Sequence, residues 1–303
     1  MQNLTEGSIF KVLMKLSLPI MASAFLATAY SITDLAWIGS LGSSAVAGVG
    51  VGGMYVWLSQ GLSTLARMGG QVPMAQALGK GDFEDAKKYA VTSLWVVAIF
   101  GIIFGIVSLV FTDSMVAFFN LDTSLTVSHA KVYLKITCGL IIFSYIGYTL
   151  TGLYTAQGDS KTPLKANFIG LVTNMILDPL LILGVGPFPR LEVIGAAIAT
   201  VTSRFVECFI VVWWTHRHKE RNPYIVGVYK SLMIPGDLMM RIIKKGTPLL
   251  INEAMWSLGM AMLLQCYSVR GLGVVAGMNI SNTIINLFNI TFMALGTSVC
   301  PFS

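Results

Sequence analysis

Charge is what this sequence lacks most. Its 303 residues hold 20 Lys+Arg and 14 Asp+Glu, 11% charged against 55% hydrophobic, whereas a soluble domain carries about 25% charged residues. So little charge cannot cover a soluble surface, and most of that surface must face lipid. Cysteine is scarce as well: Cys138, Cys208, Cys266 and Cys300 stand far apart in apolar stretches. That spacing excludes a disulfide scaffold and reads as small buried hydrophobes. Of the 3 histidines, His216 and His218 have no Cys or carboxylate partner to complete a tetrahedral metal site. There is no G-x-S-x-G, H-E-x-x-H or P-loop, so the chain is not read as an enzyme and no cofactor is expected. The net charge of +6 is scattered between apolar runs, not gathered on an Arg/Lys face with interleaved aromatics, which argues against nucleic acid as a partner. The amino-terminal MQNLTEGSIFKVLMKL carries Glu6 and no small-residue cleavage site, so it reads as retained, not as a removed signal peptide.

What is present is length of apolar run. A membrane-crossing helix needs about 20 apolar residues, and eight stretches meet that, at 12–38, 45–72, 88–111, 130–157, 165–187, 192–215, 246–268 and 274–300. The run VVAIFGIIFGIVSLVF at 96–111 shows no alternation of polarity, which excludes a β-barrel. The fold class is an all-α, polytopic helix bundle in a membrane. Pro19 and Pro179 fall inside predicted spans, where bends are expected because neighbouring helices take up the freed backbone groups.

The basic residues set the topology. Lys11 and Lys15 precede the first span, Lys80, Lys87 and Lys88 follow the second, Lys161 and Lys165 the fourth, and Arg217, Lys219, Arg221, Lys230, Arg241, Lys244 and Lys245 the sixth. Only Lys131, Lys135, Arg190 and Arg270 lie on the other side. The positive-inside bias therefore places the N-terminus in the cytoplasm of a multi-pass protein of the cell (inner or plasma) membrane. The segment 216–245 reads as a basic cytoplasmic linker, its end IPGDLMMRIIKKG having the spacing of a short surface-lying helix.

An offset of 229 residues places Lys244 on Lys15, Pro248 on Pro19, Gly271 on Gly42 and Val275-Ala276-Gly277 on Val46-Ala47-Gly48. Six spans separate the two units, so both begin on the cytoplasmic side, as in a parallel repeat about the membrane normal. The domains expected are a six-helix lobe at 1–215, the linker at 216–245 and the first two helices of a second lobe at 246–303. Because the second unit is short, the chain reads as a fragment of a protein of about twelve spans; association of two such chains, or an accidental likeness of the units, are the alternatives.

Carboxylates inside apolar runs cost about 2.5–3.5 kcal/mol at a helix centre, so Asp34, Asp178, Glu207 and Glu253 each need a reason. Glu207 has Arg204 three residues earlier on one helix face, which reads as an ion pair. Arg204 is taken as the one cation well inside a span. Asn174 and Asp178 are spaced i, i+4, and Pro179 prevents regular backbone bonding beside them. A carboxylate, an amide oxygen and a freed carbonyl make a hard-oxygen site suited to Na⁺ or a proton. The competing reading of Asp178 is a structural carboxylate at a helix bend.

TDLAWIG after a proline, the LG-x-x-A-V-A-G turn, the GDSKTP loop, NMILDPLLI, GAAIAT and NEAMWSLGM, in that order, resemble the multidrug and toxic compound extrusion (MATE) family of cation-coupled transporters. The resemblance covers the whole chain. It implies two lobes of six helices facing alternately in and out, with this sequence stopping after eight. It also implies a cation site in the first lobe at the positions of Asp34, Asn174, Asp178 and Thr200, with Thr202 close by as a rival to Thr200. Asp34, Asn174 and Asp178 are then the ligands of Na⁺, if a metal ion is bound at all. Pro19 resembles the family's first-helix bend, and Glu253 a seventh-helix carboxylate used by part of the family.

The function expected is antiport by alternating access, with Na⁺ or H⁺ as the driver and amphiphilic or cationic small molecules as cargo, by a protein monomeric at full length. The rival is a flippase of lipid-linked precursors. Such proteins line their cavity with several Arg or Lys, whereas an anionic cavity favours cations. Candidates to touch substrate are Met54, Tyr55, Trp57, Tyr145, Tyr148, Tyr154, Trp256 and Met260, since Met and aromatics adapt to varied apolar shapes.

Overall fold

The computed structural model describes residues 9–119, 121, 123–220, 222, 236–268, 285 and 288–296. Nine helices are delimited among them: α1 (Ile9–Gly39), α2 (Ser43–Gly79), α3 (Phe83–Val110), α4 (Thr112–Ala117), α5 (Ser124–Gly139), α6 (Ile142–Ala156), α7 (Lys161–Ile182), α8 (Glu192–Arg217) and α9 (Gly236–Ser268). All but the six-residue α4 fall on the first seven predicted spans, and no strand occurs among the described residues. The eighth span, Gly271, the Val275–Gly277 match, Cys266, Cys300 and the side chain of Met260 lie outside the description, apart from helical residues 285 and 288–296. Four helices are long and apolar enough to cross a membrane, and a fifth span results if α5 and α6 are counted together.

Local chemistry sets the helix ends. Asp82 caps α3 by accepting from the Asp85 backbone N–H at 2.9 Å, and Thr123 caps α5 by accepting from Thr126 at 3.2 Å. Before α7, Asp159 accepts from the Lys161 and Thr162 amides at 3.0 and 3.1 Å. Between α1 and α2 the chain turns at Gly42, whose φ of 100° is open to glycine at no steric cost. Between α4 and α5, Lys131 Nζ lies 2.8 Å from Asp113 Oδ1. The hydrogen bond and then the charge of Lys131 hold that exposed carboxyl below its usual range.

The bundle is inverted relative to a soluble core. On α3, Ile99, Ile102, Ile103, Ile106 and Val110 face outward, a helical stripe suited to lipid. Small and polar residues face inward. Four of them, Ser59, Ser63, Arg67 and Gln71, stand one turn apart on α2 and look toward α6, where Tyr145 donates to the Ser59 carbonyl at 2.6 Å and a Cβ on Gly152 would lie 2.6 Å from Arg67 Cγ. Arg67 is therefore a second cation within a helix of the bundle, where only Arg204 is expected. Between α6 and α8, Tyr154 OH and Thr215 Oγ1 are 2.9 Å apart, both buried. Tyr154→Phe removes the hydroxyl from Thr215 and from its neighbour Asn222, and a loss of about 0.5–1.5 kcal/mol for each bond is expected, read as a lower thermal unfolding midpoint in detergent.

Two differences from the expected spans stand out. The stretch 130–157 is two helices bent by 47°; at Gly139 the missing side chain lets α3 approach, with a Cβ on Gly105 only 3.1 Å from the Gly139 carbonyl, and glycine weakens helix continuity at that point. Pro19 and Pro179, where bends are expected, lie within α1 and α7. Residues 236–245, taken as the end of the linker, are the first turns of α9 and continue without a break into the seventh span. Backbone meets backbone where α9 crosses α2: a Cβ on Gly69 would lie 2.5 Å from the Ile242 carbonyl, and one on Gly246 2.5 Å from that of Leu65.

Candidate functional site

Four helices bring the site together. Asp34 lies in the last two turns of α1 with Tyr30 one turn before it, so both occupy one face. Asn174 and Asp178 share a face of α7, against which α1 packs. Thr200, Arg204 and Glu207 follow one another along α8, and α5 supplies Tyr133. Two glycines fix this arrangement. Gly195 lets the first turn of α8 lie against the backbone of α7, since a Cβ there would overlap the Leu181 carbonyl. Gly52 on α2 seats the ring of Tyr133, whose Cδ1 would be 2.7 Å from a Cβ at that position.

The result is a cavity of about 460 Å³ lined by Tyr30, Asp34, Tyr133, Tyr148, Thr200 and Arg204 among apolar and smaller polar side chains, Gln60 included. Asn174 and Asp178 are fully buried beside it. Asn174 Nδ2 donates to Asp178 Oδ1 at 3.1 Å, and Asp34 is close enough to act on the charge of Asp178. Five buried oxygens are left without a hydrogen-bond partner: Asp34 Oδ1, Asn174 Oδ1, Asp178 Oδ2, Thr200 Oγ1 and Tyr30 OH. Buried polar atoms are nearly always paired, so a group of unpaired oxygens from three helices could hold a cation. The donors are hard oxygens, which suit a proton or Na⁺. The Tyr30 and Tyr133 hydroxyls both approach Thr200, neither reaching hydrogen-bond geometry with its Oγ1.

Arg204 bridges two roles. Its Nη1 donates to Glu207 Oε2 at 2.8 Å, its guanidinium carbon stands 4.8 Å above the Tyr30 ring, and it exerts an attraction on Asp34. Asp34 thus has a cation for a neighbour in space that stands 170 residues away along the chain.

Of the residues singled out in the sequence, Asp34, Thr200 and Tyr148 line the cavity, and Asn174 and Asp178 adjoin it; Thr202 does not line it. Pro19 is buried early in α1, and Pro179 directly follows Asp178. Glu253 is exposed on α9 and does not join the other carboxylates. Trp256 is exposed too, its ring 6.4 Å from that of Trp57. Tyr55 is not a cavity residue: its hydroxyl donates to the Met115 carbonyl at 2.8 Å, and its ring meets Phe119 edge-on. Tyr145 and Tyr154 are consumed in helix packing, and Met54 is exposed. His216 and His218 each place Nδ1 on the carbonyl one turn back in α8. Sequence reasoning missed Tyr30, Tyr133 and the cavity face of Arg204. Tyr30, four residues before Asp34, carried a signal in its spacing, whereas Tyr133 had none.

Known proteins resemble this chain over most of its length. The sequence profile of the MatE family matches residues 19–180. The chain is 29% identical to the probable multidrug resistance protein NorM of Thermotoga maritima, over 95% of this chain and 61% of that one. It is 26% identical to the FAD transporter of Shewanella oneidensis, over 99% and 65%. The chain thus spans less than two thirds of the length of these relatives. Among solved structures, MATE in the bent conformation superposes with a TM-score of 0.86 at 23% identity, covering 97% of this chain and 64% of the other.

Proposed function

The chain belongs to the MatE family, and from that premise we propose that it is the cation-coupled part of a secondary transporter exporting amphiphilic or cationic small molecules. A Na⁺ ion or a proton enters at Asp34, Asn174, Asp178 and Thr200, and substrate leaves against it by alternating access. The observation that carries this reading is the set of five unpaired buried oxygens at one cavity. In this reading 1–215 forms one lobe and the helix after the linker opens a second; the protein sits in the cell membrane as a monomer with its N-terminus in the cytoplasm. The multidrug relative supports drugs as cargo. The cavity's one guanidinium is held by Glu207, a poor match for the several cations that a pyrophosphate-bearing lipid requires, which speaks against a precursor flippase.

The test is export by the full-length protein that carries this chain, in liposomes loaded with a fluorescent cationic dye, under an imposed proton or sodium gradient. Efflux that follows the gradient and stops when an ionophore dissipates it is expected; efflux indifferent to both gradients overturns the reading. Orientation has its own test. With the native cysteines replaced, cysteine at Lys80 or Lys219 is expected to react with an impermeant thiol reagent only after the membrane is opened, and cysteine at Lys131 in intact cells. Labelling of Lys80→Cys from outside reverses the topology.

A further inference from the structure

We infer that water binds as a file between α2 and α6, extending the cavity toward the Lys80 end of α2. Such a file follows from packing and polarity, whichever ion or cargo the protein moves.

Val49, Gly53, Val56 and Gln60 of α2 line the cavity. At steps of three and four residues the same face continues through Ser63, Arg67 and Gln71. Helix α6 runs beside it in the same direction. Tyr145 donates to the Ser59 carbonyl, and further along both helices Gly152 meets Arg67 and Gln71. Thr149, one turn past Tyr145, is therefore level with Ser63, one turn past Ser59.

Three side chains of this seam are buried with nothing to bond. Ser63, Gln71 and Thr149 are 2%, 0% and 0% exposed, and among the described residues neither hydroxyl nor either end of the Gln71 amide has a hydrogen-bond partner. A serine or threonine inside a helix ordinarily turns its hydroxyl back to a carbonyl three or four residues earlier. Thr151 and Thr155 do so on α6, and Ser59 on α2. Ser63 and Thr149 leave that bond unmade, and their hydroxyls are left to the seam. Gly152 makes room for the amide, since a Cβ there would lie 2.9 Å from Gln71 Oε1.

Water is the ligand that fits. Hydroxyls and an amide both donate and accept, and a buried water takes about 2–4 hydrogen bonds. Ser63 and Thr149 supply partners at one level, the oxygen and nitrogen of Gln71 at the next, and the Arg67 guanidinium stands between them. Left dry, these polar atoms would be stranded in a bundle whose lipid surroundings offer no substitute. Beyond Gln71 the seam is closed by one apolar cluster that includes Met74, Leu153, Tyr154 and Ile242. The file therefore opens on the cavity and ends at that cluster.

The experiment is X-ray radiolytic footprinting of the full-length protein that carries this chain, in detergent, with oxidised side chains read by mass spectrometry. Radicals formed from bound water oxidise the side chains that it touches, buried or not. Met74 and Leu153, both buried, flank the Gln71 end of the file. Both are expected to be oxidised in the wild type at a dose that labels cavity-lining Tyr133, and to lose that label in Ser63→Ala/Thr149→Val/Gln71→Leu, with Tyr133 unchanged. Size exclusion and helical circular dichroism check folding; Thr149→Val alone, which keeps the side chain's shape, replaces the triple variant if that one fails, and is expected to lower the label. A wild type in which Met74 and Leu153 stay unoxidised while Tyr133 is labelled overturns the file and needs no variant. Labelling that persists undiminished in a folded variant overturns it too, because other groups then hold the water.

Discussion

Asp34→Asn and Asp178→Asn are each expected to abolish cation-driven export, and the double variant to be no worse than either. The reason is the shared cavity. Asp34 from α1 and Asp178 from α7 act on one another's charge, each leaves one carboxylate oxygen unpaired, and Asn174 holds only the other oxygen of Asp178. In the proposed site the two carboxylates would act as one unit, and effects of residues acting as a unit do not add. Asn keeps the shape of the side chain and a hydrogen-bonding oxygen while removing the charge, so the variants are expected to fold. Dye efflux from liposomes under an imposed gradient provides the measurement, together with proton uptake between alkaline and acidic pH, which each variant is expected to lower. If Asp178→Asn transports normally while Asp34→Asn is dead, Asp178 is a structural carboxylate of α7 and the shared site is wrong.

The second large effect concerns packing. Gly195→Leu is expected to prevent assembly of the α7–α8 pair. A Cβ at this position already overlaps the Leu181 carbonyl, which belongs to the α7 backbone and cannot rotate aside as a side chain does. Overpacking a dense interior typically costs about 1–3 kcal/mol and more where backbone must move; here the displaced segment carries Asn174 and Asp178 on one side and Thr200 and Arg204 on the other. Loss of the monodisperse peak in size exclusion and lower helical content on extraction are the readouts. Gly195→Ala is the milder companion, and a Gly195→Leu protein that extracts and melts like the wild type defeats the argument.

The helices were readable because lipid imposes a simple rule: a run of apolar residues long enough to cross must be a helix, and its ends must carry charge. Asp34, Asn174 and Asp178 were readable for a related reason, since a carboxylate in such a run stands out against its neighbours. What the chain conceals is pairing across helices. Arg204 was matched to Glu207 because the two are three residues apart, and its proximity to Asp34 depends on how α1, α7 and α8 pack. Arg67 passed unnoticed because it sits in a glycine-rich helix with serines on its own face. The bend between α5 and α6 has no proline to announce it. Tyrosines were the hardest: Tyr55, Tyr145 and Tyr154 look like binding residues until a carbonyl or a threonine is found at the hydroxyl, while Tyr30 and Tyr133, equally ordinary in sequence, face the cavity.

The crossing of α9 over α2 has a mechanical side. Helices joined by interlocking side chains behave like meshed gears, and one turns against the other only by jumping a tooth. At Gly69 and Gly246 one tooth of each pair is missing, and Ile242 and Leu65 ride on bare main chain, so the crossing acts as a bearing. From that fulcrum α2 extends 26 residues to Ser43, a lever of roughly 39 Å at 1.5 Å per residue. Tilting it by about 10° sweeps its far tip through roughly 7 Å, by the same helix rise. A side chain at either glycine jams the bearing.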